Sequence, residues 1–362
     1  MKNKFWLAVF LIVSTIVGLG VFILPYAAGQ AGLYFWFWLG LLAAAIYLLH
    51  LAYAEIIFYV GEKHNLPSLA GRLIRPSLKL PVWLSDYIGV ELTALIFLVA
   101  LAKFIALIIP VDPFLIKLAT FVLIGLGLGF SINPLAKIEG WLTIFLIGLF
   151  IFVGIYLLPN FNLANLNFNF GRPLFSFGII LFSLTGYSSL QLVYDLIGRD
   201  ARAFKKINLT ALLLVFLIYV FYVLTVAGAF GPRISDDSLT SFSFYLPKLF
   251  LLGAVLLGVL NILTTFIVLV FYIERGLIAD FNFQKISAWF VSILPIYAFI
   301  FFPIEKIAGL AGFVGSFFIG LNLIVIFLIY LKLPEVKYFH LDKRLVWLLI
   351  ALFGFGVIQA LI

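Results

Sequence analysis

The sequence contains no cysteine and very little charge: only 10% of its 362 residues are Asp, Glu, Lys or Arg. Without cysteine the chain cannot form disulfides, thiolate metal sites or a cysteine nucleophile. Between Phe5 and Ala54 there is no Asp, Glu, Lys or Arg, a stretch long enough for two membrane-spanning helices of about 20 residues each. Soluble domains carry about 25% charged residues, so this shortage excludes a water-soluble globule.

What the chain does contain is apolar: 65% of its residues are hydrophobic, 42 are Phe, and the mean hydropathy is +1.25. This composition excludes disorder, and the alternating ten-residue strands of a membrane barrel are missing. We therefore predict an all-α integral membrane protein with one transmembrane domain over 1–362. About eleven spans are predicted, at 5–28, 33–60, 81–109, 114–131, 140–158, 173–196, 207–230, 243–273, 285–302, 306–331 and 345–362.

The net charge of +8 is spread over short loops and forms no basic domain, so no nucleic-acid partner is expected. A cytoplasmic N-terminus places most of the 23 lysines and arginines in cytoplasmic loops and places Asp236 and Asp237 outside. The charge pattern therefore predicts a multi-pass protein of the cell membrane. Its N-terminus is expected in the cytoplasm, its C-terminus outside, and the lipid bilayer is its expected partner.

The first span contains residues that interrupt a helix, in the stretch VGLGVFILPY from Val17 to Tyr26. Gly18 and Gly20 weaken the helix, and Pro25 removes one backbone donor. Irregular backbone survives at membrane depth only where it faces protein or a water-filled cavity. The stretch therefore predicts an unwound turn between two half-helices, although glycines also serve as packing faces between membrane helices.

A second interrupted span, with FSLTGYSS at its centre from Phe182 to Ser189, follows five spans later. Two spans that are an odd number of spans apart cross the membrane in opposite directions. A spacing of five therefore predicts two five-helix repeats of opposite topology. The repeats cover about 5–158 and 173–331, and an extra helix follows at about 345–362. A pair of interrupted spans at matching positions of two halves is the best sequence indication of a transporter's binding site.

The broken ends suggest the chemistry of that site. An unwound turn exposes carbonyls at the end of one half-helix and N–H groups at the start of the next, with opposite partial charges. An amino-acid carboxylate fits the N–H groups of Gly20–Phe22, and its ammonium group fits the carbonyls of Ser14–Val17 and Phe182–Thr185. The predicted substrate-binding residues are Ser14, Thr15, Val17, Gly18, Gly20, Val21, Phe22, Phe182, Ser183, Thr185, Gly186 and Tyr187.

The runs GLGVFILPYAAGQAG and HLAYAEIIFYVGEKHNLPSLAGR resemble the amino acid/auxin permease family, part of the amino acid–polyamine–organocation superfamily with a leucine-transporter-like fold. Gly18, Gly20, Phe22 and Pro25 match its G-x-G-x-F-x-x-P pattern, and Glu55 matches an acidic residue late in its second helix. The resemblance implies the inverted repeat, a neutral or aromatic amino-acid substrate, and symport with Na⁺ or H⁺. It implies no other cofactor.

The resemblance also implies a position for a sodium ion, between carbonyls of span 1 and hydroxyls of span 8. The residues that correspond to this site are Ser14, Val17, Asn261, Thr264 and Thr265. Hydroxyls of a threonine pair can instead bond to their own helical turn. Span 5 lacks the lysine that replaces the ion in some proton-coupled relatives. Glu91, near the middle of span 3, is a candidate for proton coupling, with a structural hydrogen-bonded carboxyl as the alternative.

These features together predict a secondary active transporter, or permease, that works by alternating access. The alternative is an amino-acid-sensing receptor subunit on the same fold, such as the membrane subunit of spore germination receptors. An enzyme is not expected, because the chain has no H-E-x-x-H motif and its three histidines, His50, His64 and His340, fall in different segments.

Overall fold

The structure is a computed structural model that describes residues 2–61, 65–125, 132–300 and 306–362. Across these residues the chain is predominantly α-helical, and the only β-type pairing within them is an isolated bridge between Gly32 and Phe170. The prediction of an all-α protein is confirmed. The α-helices of the described ranges are α1 (Lys2–Ile16), α2 (Gly20–Ala31), α3 (Leu33–Val60), α4 (Leu66–Leu73), α5 (Lys79–Ala106), α6 (Pro113–Gly125), α7 (Ile132–Leu157), α8 (Phe175–Leu184), α9 (Leu190–Ile197), α10 (Ala201–Phe230), α11 (Leu239–Phe242), α12 (Lys248–Phe281), α13 (Lys285–Ile300), α14 (Ile307–Phe313), α15 (Gly320–Leu331) and α16 (Lys343–Gln359).

Seven helical segments within the described residues are long and apolar enough to cross a membrane, and the bent pair α1 and α2 makes an eighth. The α8–α9 pair and the α14–α15 pair each count as one segment, and the latter pair is joined through a π-helical stretch at Val314–Ile319. A shorter apolar helix covers Lys285–Ile296. The fold is therefore that of a multi-pass helical membrane protein, whereas the number of eleven spans stays a prediction.

Two helices extend beyond the apolar stretches that predicted them. Helix α10 begins at Ala201, six residues early, because the Asp200 carboxylate caps it and accepts a hydrogen bond from the Ala203 N–H at 2.9 Å. Helix α12 continues to Phe281, where Asn282 adopts a left-handed conformation with φ 56°. Hydropathy locates the part of a helix that lies in lipid, and the caps decide where the helix ends.

The two discontinuous spans lie next to each other in the helix bundle. Helix α2 packs against α8, and α1 packs against α9 and α10. Helix α8 in turn packs against α3. In the predicted repeat, the span of α1 and α2 corresponds to that of α8 and α9, and α3 corresponds to α10. The contact between α1 and α10 then corresponds to the contact between α8 and α3, which is the pattern that an inverted repeat produces. The limits of the two halves, at about 5–158 and 173–331, stay a prediction, as does the description of 1–362 as one domain.

The bundle has two faces, which we name from the chain. The N-terminal face is the one where α1 begins, α3 ends and α5 begins; the opposite face is the one where α2 ends. Helices α5 and α12 pack along each other. At the N-terminal face Lys79 donates a hydrogen bond to the Asp280 carbonyl at 2.6 Å, so α12 also ends there.

Candidate functional site

The first break separates α1 from α2 and leaves backbone groups without partners. Among the described residues, the N–H groups of Gly18, Leu19 and Gly20 find no hydrogen-bond acceptor. In a continuous helix the Ser14 carbonyl would accept from the Gly18 N–H and the Thr15 carbonyl from the Leu19 N–H. In this structure neither carbonyl accepts a backbone hydrogen bond from the described residues. A half-helix that ends in free carbonyls therefore meets one that begins with free donors.

The free donors lie two residues earlier than the sequence predicted. The N–H of Val21 already bonds to the Gly18 carbonyl at 3.3 Å, and that of Phe22 bonds to the Leu19 carbonyl at 3.1 Å. Of the N–H groups of Gly20, Val21 and Phe22, which the sequence predicts to hold a carboxylate, these tight turns satisfy the last two. The available anion-binding groups are therefore the N–H groups of Gly18, Leu19 and Gly20.

The second break separates α8 from α9 and has the same character. Thr185 is extended, with ψ 125°, and Gly186 has φ −148° and ψ 16°, so the helix is interrupted for two residues. Among the described residues, the N–H groups of Gly186, Tyr187 and Ser188 find no acceptor, and the Phe182 carbonyl accepts no bond. Both breaks therefore expose backbone donors and acceptors at the centre of a span.

Each break packs against the other through a glycine. A Cβ atom at Gly20 would lie 2.6 Å from the Ser183 hydroxyl oxygen and 2.8 Å from the Ser183 Cα. A Cβ atom at Gly186 would overlap the Ile16 side chain. Gly20, at the start of α2, thus contacts a residue that precedes the second break, and Gly186, within the second break, contacts the residue that precedes the first. Close approach of the two backbones is thus the reason for glycine at both positions.

Tyr219 of α10 joins the two breaks, and sequence reasoning missed it. Its hydroxyl lies 3.0 Å from the Ile16 carbonyl and 2.8 Å from the Ser183 carbonyl, and its side chain is fully buried. One phenolic proton therefore serves the Ile16 carbonyl at the end of α1 and the Ser183 carbonyl in the last turn of α8. Nothing in the apolar run around Tyr219 distinguishes this tyrosine from its neighbours, so no sequence signal was available.

One side of this junction is not covered by other described parts of the chain. Thr15 and Ser188 are exposed, and Gly18 and Thr185 are partly exposed. A Cβ atom at Gly18 would have nothing within 4 Å, in contrast to one at Gly20. A ligand that uses the free backbone groups would therefore approach beside Gly18.

Aromatic rings close the path from the junction toward the opposite face. The Phe22 ring lies edge-on to Phe104 and Phe150, at centroid distances of 5.4 and 5.1 Å. Phe150 in turn contacts Tyr222 at 4.8 Å. All four side chains are buried. This aromatic layer separates the two breaks from the loops of the opposite face.

A loop between α10 and α12 covers this layer. The Ser238 hydroxyl donates to the Phe22 carbonyl, which fixes the loop to α2. Lys103 forms an ion pair with Asp236 at 2.9 Å, and the second oxygen of Asp236 accepts from the Ile307 N–H at 2.7 Å. The loop is thus bonded to both α5 and α14 as well, and these contacts hold it over the aromatic layer.

Asp237 stabilises the conformation of the same loop. Its carboxylate accepts hydrogen bonds from the Thr240 N–H at 2.8 Å, the Thr240 hydroxyl at 2.9 Å and the Ser235 hydroxyl at 3.0 Å. Burial raises the pKa of the Asp237 carboxyl, and the hydrogen bonds from Thr240 oppose that shift.

The residues predicted to hold sodium use their hydroxyls within their own helices. Thr264 donates to the carbonyls of Leu260 and Asn261, at 3.1 and 3.0 Å. Thr265 donates to the Asn261 carbonyl at 2.9 Å, and Ser14 likewise bonds to its preceding turn. Helix α12 packs mainly against α5, α7 and α13, and α1 packs mainly against α7, α9 and α10. The sodium site stays a prediction.

Two buried carboxyl groups lie on α5. Glu91 is 2% exposed, and neither of its oxygens has a hydrogen-bond partner among the described residues. Asp86, which sequence reasoning missed, is also buried, and it bonds to Tyr272 and Asn322. A signal was available, because Asp86 falls inside the predicted third span, five residues before Glu91.

Glu55, the acidic residue late in α3, binds a loop. Its carboxylate accepts the backbone N–H groups of Lys337 at 2.6 Å, Tyr338 at 3.0 Å and Phe339 at 2.8 Å. Only 1% of Glu55 is exposed. The carboxylate thereby fixes the connection between α15 and α16 to the end of α3 at the N-terminal face.

Glu55→Gln is expected to lower the thermal stability of the detergent-purified protein. A glutamine presents one acceptor oxygen and an NH₂ group that faces N–H donors, which loses charge-assisted bonds worth about 1.5–3 kcal/mol each. Glu335→Gln is the control, because that side chain is 63% exposed and pairs only with Lys337. Equal melting temperatures for the two variants would contradict the assigned role of Glu55.

No family model matches the sequence, and no curated protein matches it. The chain is similar to solved structures of the manganese transporter of Eremococcus coleocola. A mutant of that protein aligns with a TM-score of 0.65 at 13% identity, over 98% of this chain and 85% of that one. Its complex with an aromatic bis-isothiourea substituted compound aligns with a TM-score of 0.64 at 14% identity, over the same shares. The chain therefore has the fold of a membrane transporter.

Proposed function

We propose that this protein is a secondary active transporter that binds an amino acid as a zwitterion between its two broken spans. One observation carries the proposal. Two half-helix ends with free backbone groups meet at the Tyr219 hydroxyl, and neither break contains a charged side chain. A ligand with one positive and one negative group satisfies both sets of backbone groups without a charged residue.

Each end of the ligand has a set of partners in this arrangement. The carboxylate is held by the N–H groups of Gly18, Leu19 and Gly20 at the start of α2, where the helix dipole favours an anion. The ammonium group is held by free carbonyls at the end of α1, such as those of Ser14 and Thr15. The substrate side chain then extends toward the accessible region beside Gly18.

Manganese, which the structurally similar transporter carries, fits these residues less well. Mn²⁺ is a hard cation that takes carboxylate, carbonyl and water oxygen ligands. The described residues contain no group of three or more His, Cys, Asp or Glu side chains that could hold a metal ion. A zwitterion is therefore the better match to two breaks that lack charged side chains.

The closed aromatic layer fits alternating access. In this structure Phe22 and the loop bonded to it block the opposite face, while the region beside Gly18 is accessible. Transport then requires the helices of the broken spans, α1, α2, α8 and α9, with α3 and α10, to rock against α5 and α12. Coupling to Na⁺ or H⁺ drives accumulation.

Uptake into proteoliposomes tests the proposal. Labelled amino acids, with neutral and aromatic members in the panel, are supplied under an imposed Na⁺ gradient, a pH gradient or neither, and Mn²⁺ is supplied separately. We expect uptake of at least one amino acid above empty vesicles, and none of Mn²⁺. Amino-acid binding without uptake under any gradient would contradict transport and favour a receptor. Uptake of Mn²⁺ alone would contradict the substrate class.

A further inference from the structure

A buried carboxylate without a basic partner lies on α5. Asp86 is 6% exposed, and its two oxygens accept hydrogen bonds from the Tyr272 hydroxyl of α12 at 2.5 Å and the Asn322 amide of α15 at 3.0 Å. No Lys, Arg or His side chain contacts it within the described part of the chain. An uncompensated carboxyl at this position in a membrane protein is costly and indicates a functional role.

Asp86 is connected to the second break. The Asn322 amide that bonds to Asp86 also lies 3.5 Å from the Tyr187 hydroxyl, and Tyr187 belongs to the break itself. The Tyr187 ring packs edge-on against Tyr53 of α3, at a centroid distance of 5.7 Å. The network therefore joins α5, α12 and α15 on one side to the broken span and α3 on the other.

Asp86 also borders a small cavity. This cavity of about 10 Å³ has room for roughly one water molecule. Its lining includes Asp86, Tyr272 and, at the end of α12, Asp280. Asp280 accepts a hydrogen bond from the Ser68 hydroxyl, and Lys79 bonds to its carbonyl at 2.6 Å. The cavity thus lies between Asp86 and polar groups of the N-terminal face.

The arrangement suits a proton better than a metal ion. Hydrogen-bond donors already face both oxygens of Asp86, so a cation would have to displace the Tyr272 hydroxyl or the Asn322 amide from the carboxylate. A proton adds directly to a carboxylate oxygen and needs no shell of ligands. The hydroxyls of Tyr272, Tyr187 and Tyr53 face Asp86 and are neutral donors when protonated. Tyr87 and the Asp280 carboxyl are the further titratable groups that line the cavity beside Asp86.

We propose that Asp86 is the residue that binds the coupling proton, an inference that rests on the transport function proposed above. A proton that arrives through the cavity forms an O–H bond on the carboxyl, which then donates one hydrogen bond and accepts fewer. When the new O–H forms on the oxygen that faces Asn322, the Asn322 amide loses that acceptor and reorients, which breaks its contact with Tyr187 at the second break. After the substrate has left, the O–H bond breaks, the carboxylate reforms, and the proton passes to water on the side to which the site has opened.

This position is better connected than that of Glu91. Glu91 follows five residues later on α5, but among the described residues no hydrogen bond links it to either break. Asp86 reaches the second break through one side chain, Asn322. Coupling requires that protonation of the carboxyl changes a contact that the broken span makes, and Asn322 provides that contact.

Asp86→Asn, reconstituted as the full chain in proteoliposomes, tests the proposal. Exchange of labelled for unlabelled amino acid at equal concentrations needs no net driving force, whereas accumulation under an inward pH gradient needs coupling. We expect the exchange rate of the variant to stay within about threefold of wild type. Its gradient-driven accumulation is expected to fall by at least about tenfold. Substrate-dependent proton uptake, followed with a pH-sensitive dye inside the vesicles, is expected to vanish. Glu335→Gln, an exposed carboxyl, is the matched control and is expected to behave as wild type.

The outcomes separate this inference from the proposed function. A wild-type protein that exchanges no amino acid contradicts the transport function itself. A wild type that transports, together with an Asp86→Asn variant that still takes up protons with substrate, overturns only the role of Asp86. Loss of both exchange and accumulation in Asp86→Asn, with Tyr272→Phe fully coupled, also overturns it, because a merely structural carboxyl gives that result. Accumulation driven by Na⁺ and indifferent to pH overturns it as well.

Discussion

Gly20→Ala is expected to abolish amino-acid transport and to lower the thermal stability of the protein. The new Cβ would lie 2.8 Å from the Cα of Ser183, a backbone atom that cannot rotate away. The two breaks must therefore move apart, and overpacking of this kind costs about 1–3 kcal/mol. Uptake into proteoliposomes and thermal unfolding in detergent measure the two effects.

Gly18→Ala and Gly29→Ala are the matched controls on the same span. A Cβ at either position would have nothing within 4 Å, so both variants are expected to unfold at the wild-type temperature. They differ in function, because the methyl group at Gly18 occupies the accessible space beside the free N–H groups. We expect Gly18→Ala to bind substrate about tenfold more weakly, and Gly29→Ala to bind and transport normally. Normal transport by Gly20→Ala would contradict the close contact of the two breaks.

Tyr219→Phe is expected to reduce transport severely while the protein still folds. Loss of the hydroxyl leaves the buried carbonyls of Ile16 and Ser183 without their shared donor, which costs about 1–3 kcal/mol. The ends of α1 and α8 then lose the group that aligns them, so we expect substrate affinity to fall by about tenfold or more. Equilibrium binding of a labelled amino acid to purified protein measures the loss.

Tyr222→Phe provides the comparison for this variant. Tyr222 lies on the same face of α10 and is also fully buried, but its hydroxyl has no hydrogen-bond partner within the part of the chain that the structure describes. Removal of that hydroxyl is expected to leave stability and affinity unchanged. Equal losses in Tyr219→Phe and Tyr222→Phe would mean that the phenolic bond to the two carbonyls has no special role.

The broken spans could be predicted because glycine in an apolar stretch weakens its own helix, whereas Pro25 lies inside the continuous helix α2. Gly18, Gly20 and Gly186 lie at the breaks in the structure, as local propensity indicates. The N–H groups that remain free could not be predicted. They depend on the tight turns that bond Val21 and Phe22 to the preceding carbonyls, and such turns form only when the two half-helices bend relative to each other.

The side chains that join the breaks were beyond sequence reasoning for a different reason. Tyr219 is one of 16 tyrosines, and its apolar surroundings on α10 are the same as those of Tyr222. Its role arises from the packing of α10 against α1 and α2, which are about 200 positions away in the chain. The charge of Asp86 within an apolar span was a signal that sequence reasoning missed, and its partners Tyr272 and Asn322 come from distant helices that only the fold brings together.

The central claim is that backbone ends at the two breaks hold both charged groups of an amino acid. Competition binding tests it most directly: a labelled amino acid that the protein transports is displaced by its own unlabelled form, its methyl ester, its decarboxylated amine, or Mn²⁺. The account predicts displacement by the unlabelled amino acid, at least about tenfold weaker displacement by the ester and by the amine, and none by Mn²⁺. Displacement by the ester or the amine as strong as that by the amino acid, or by Mn²⁺ at all, would contradict the account.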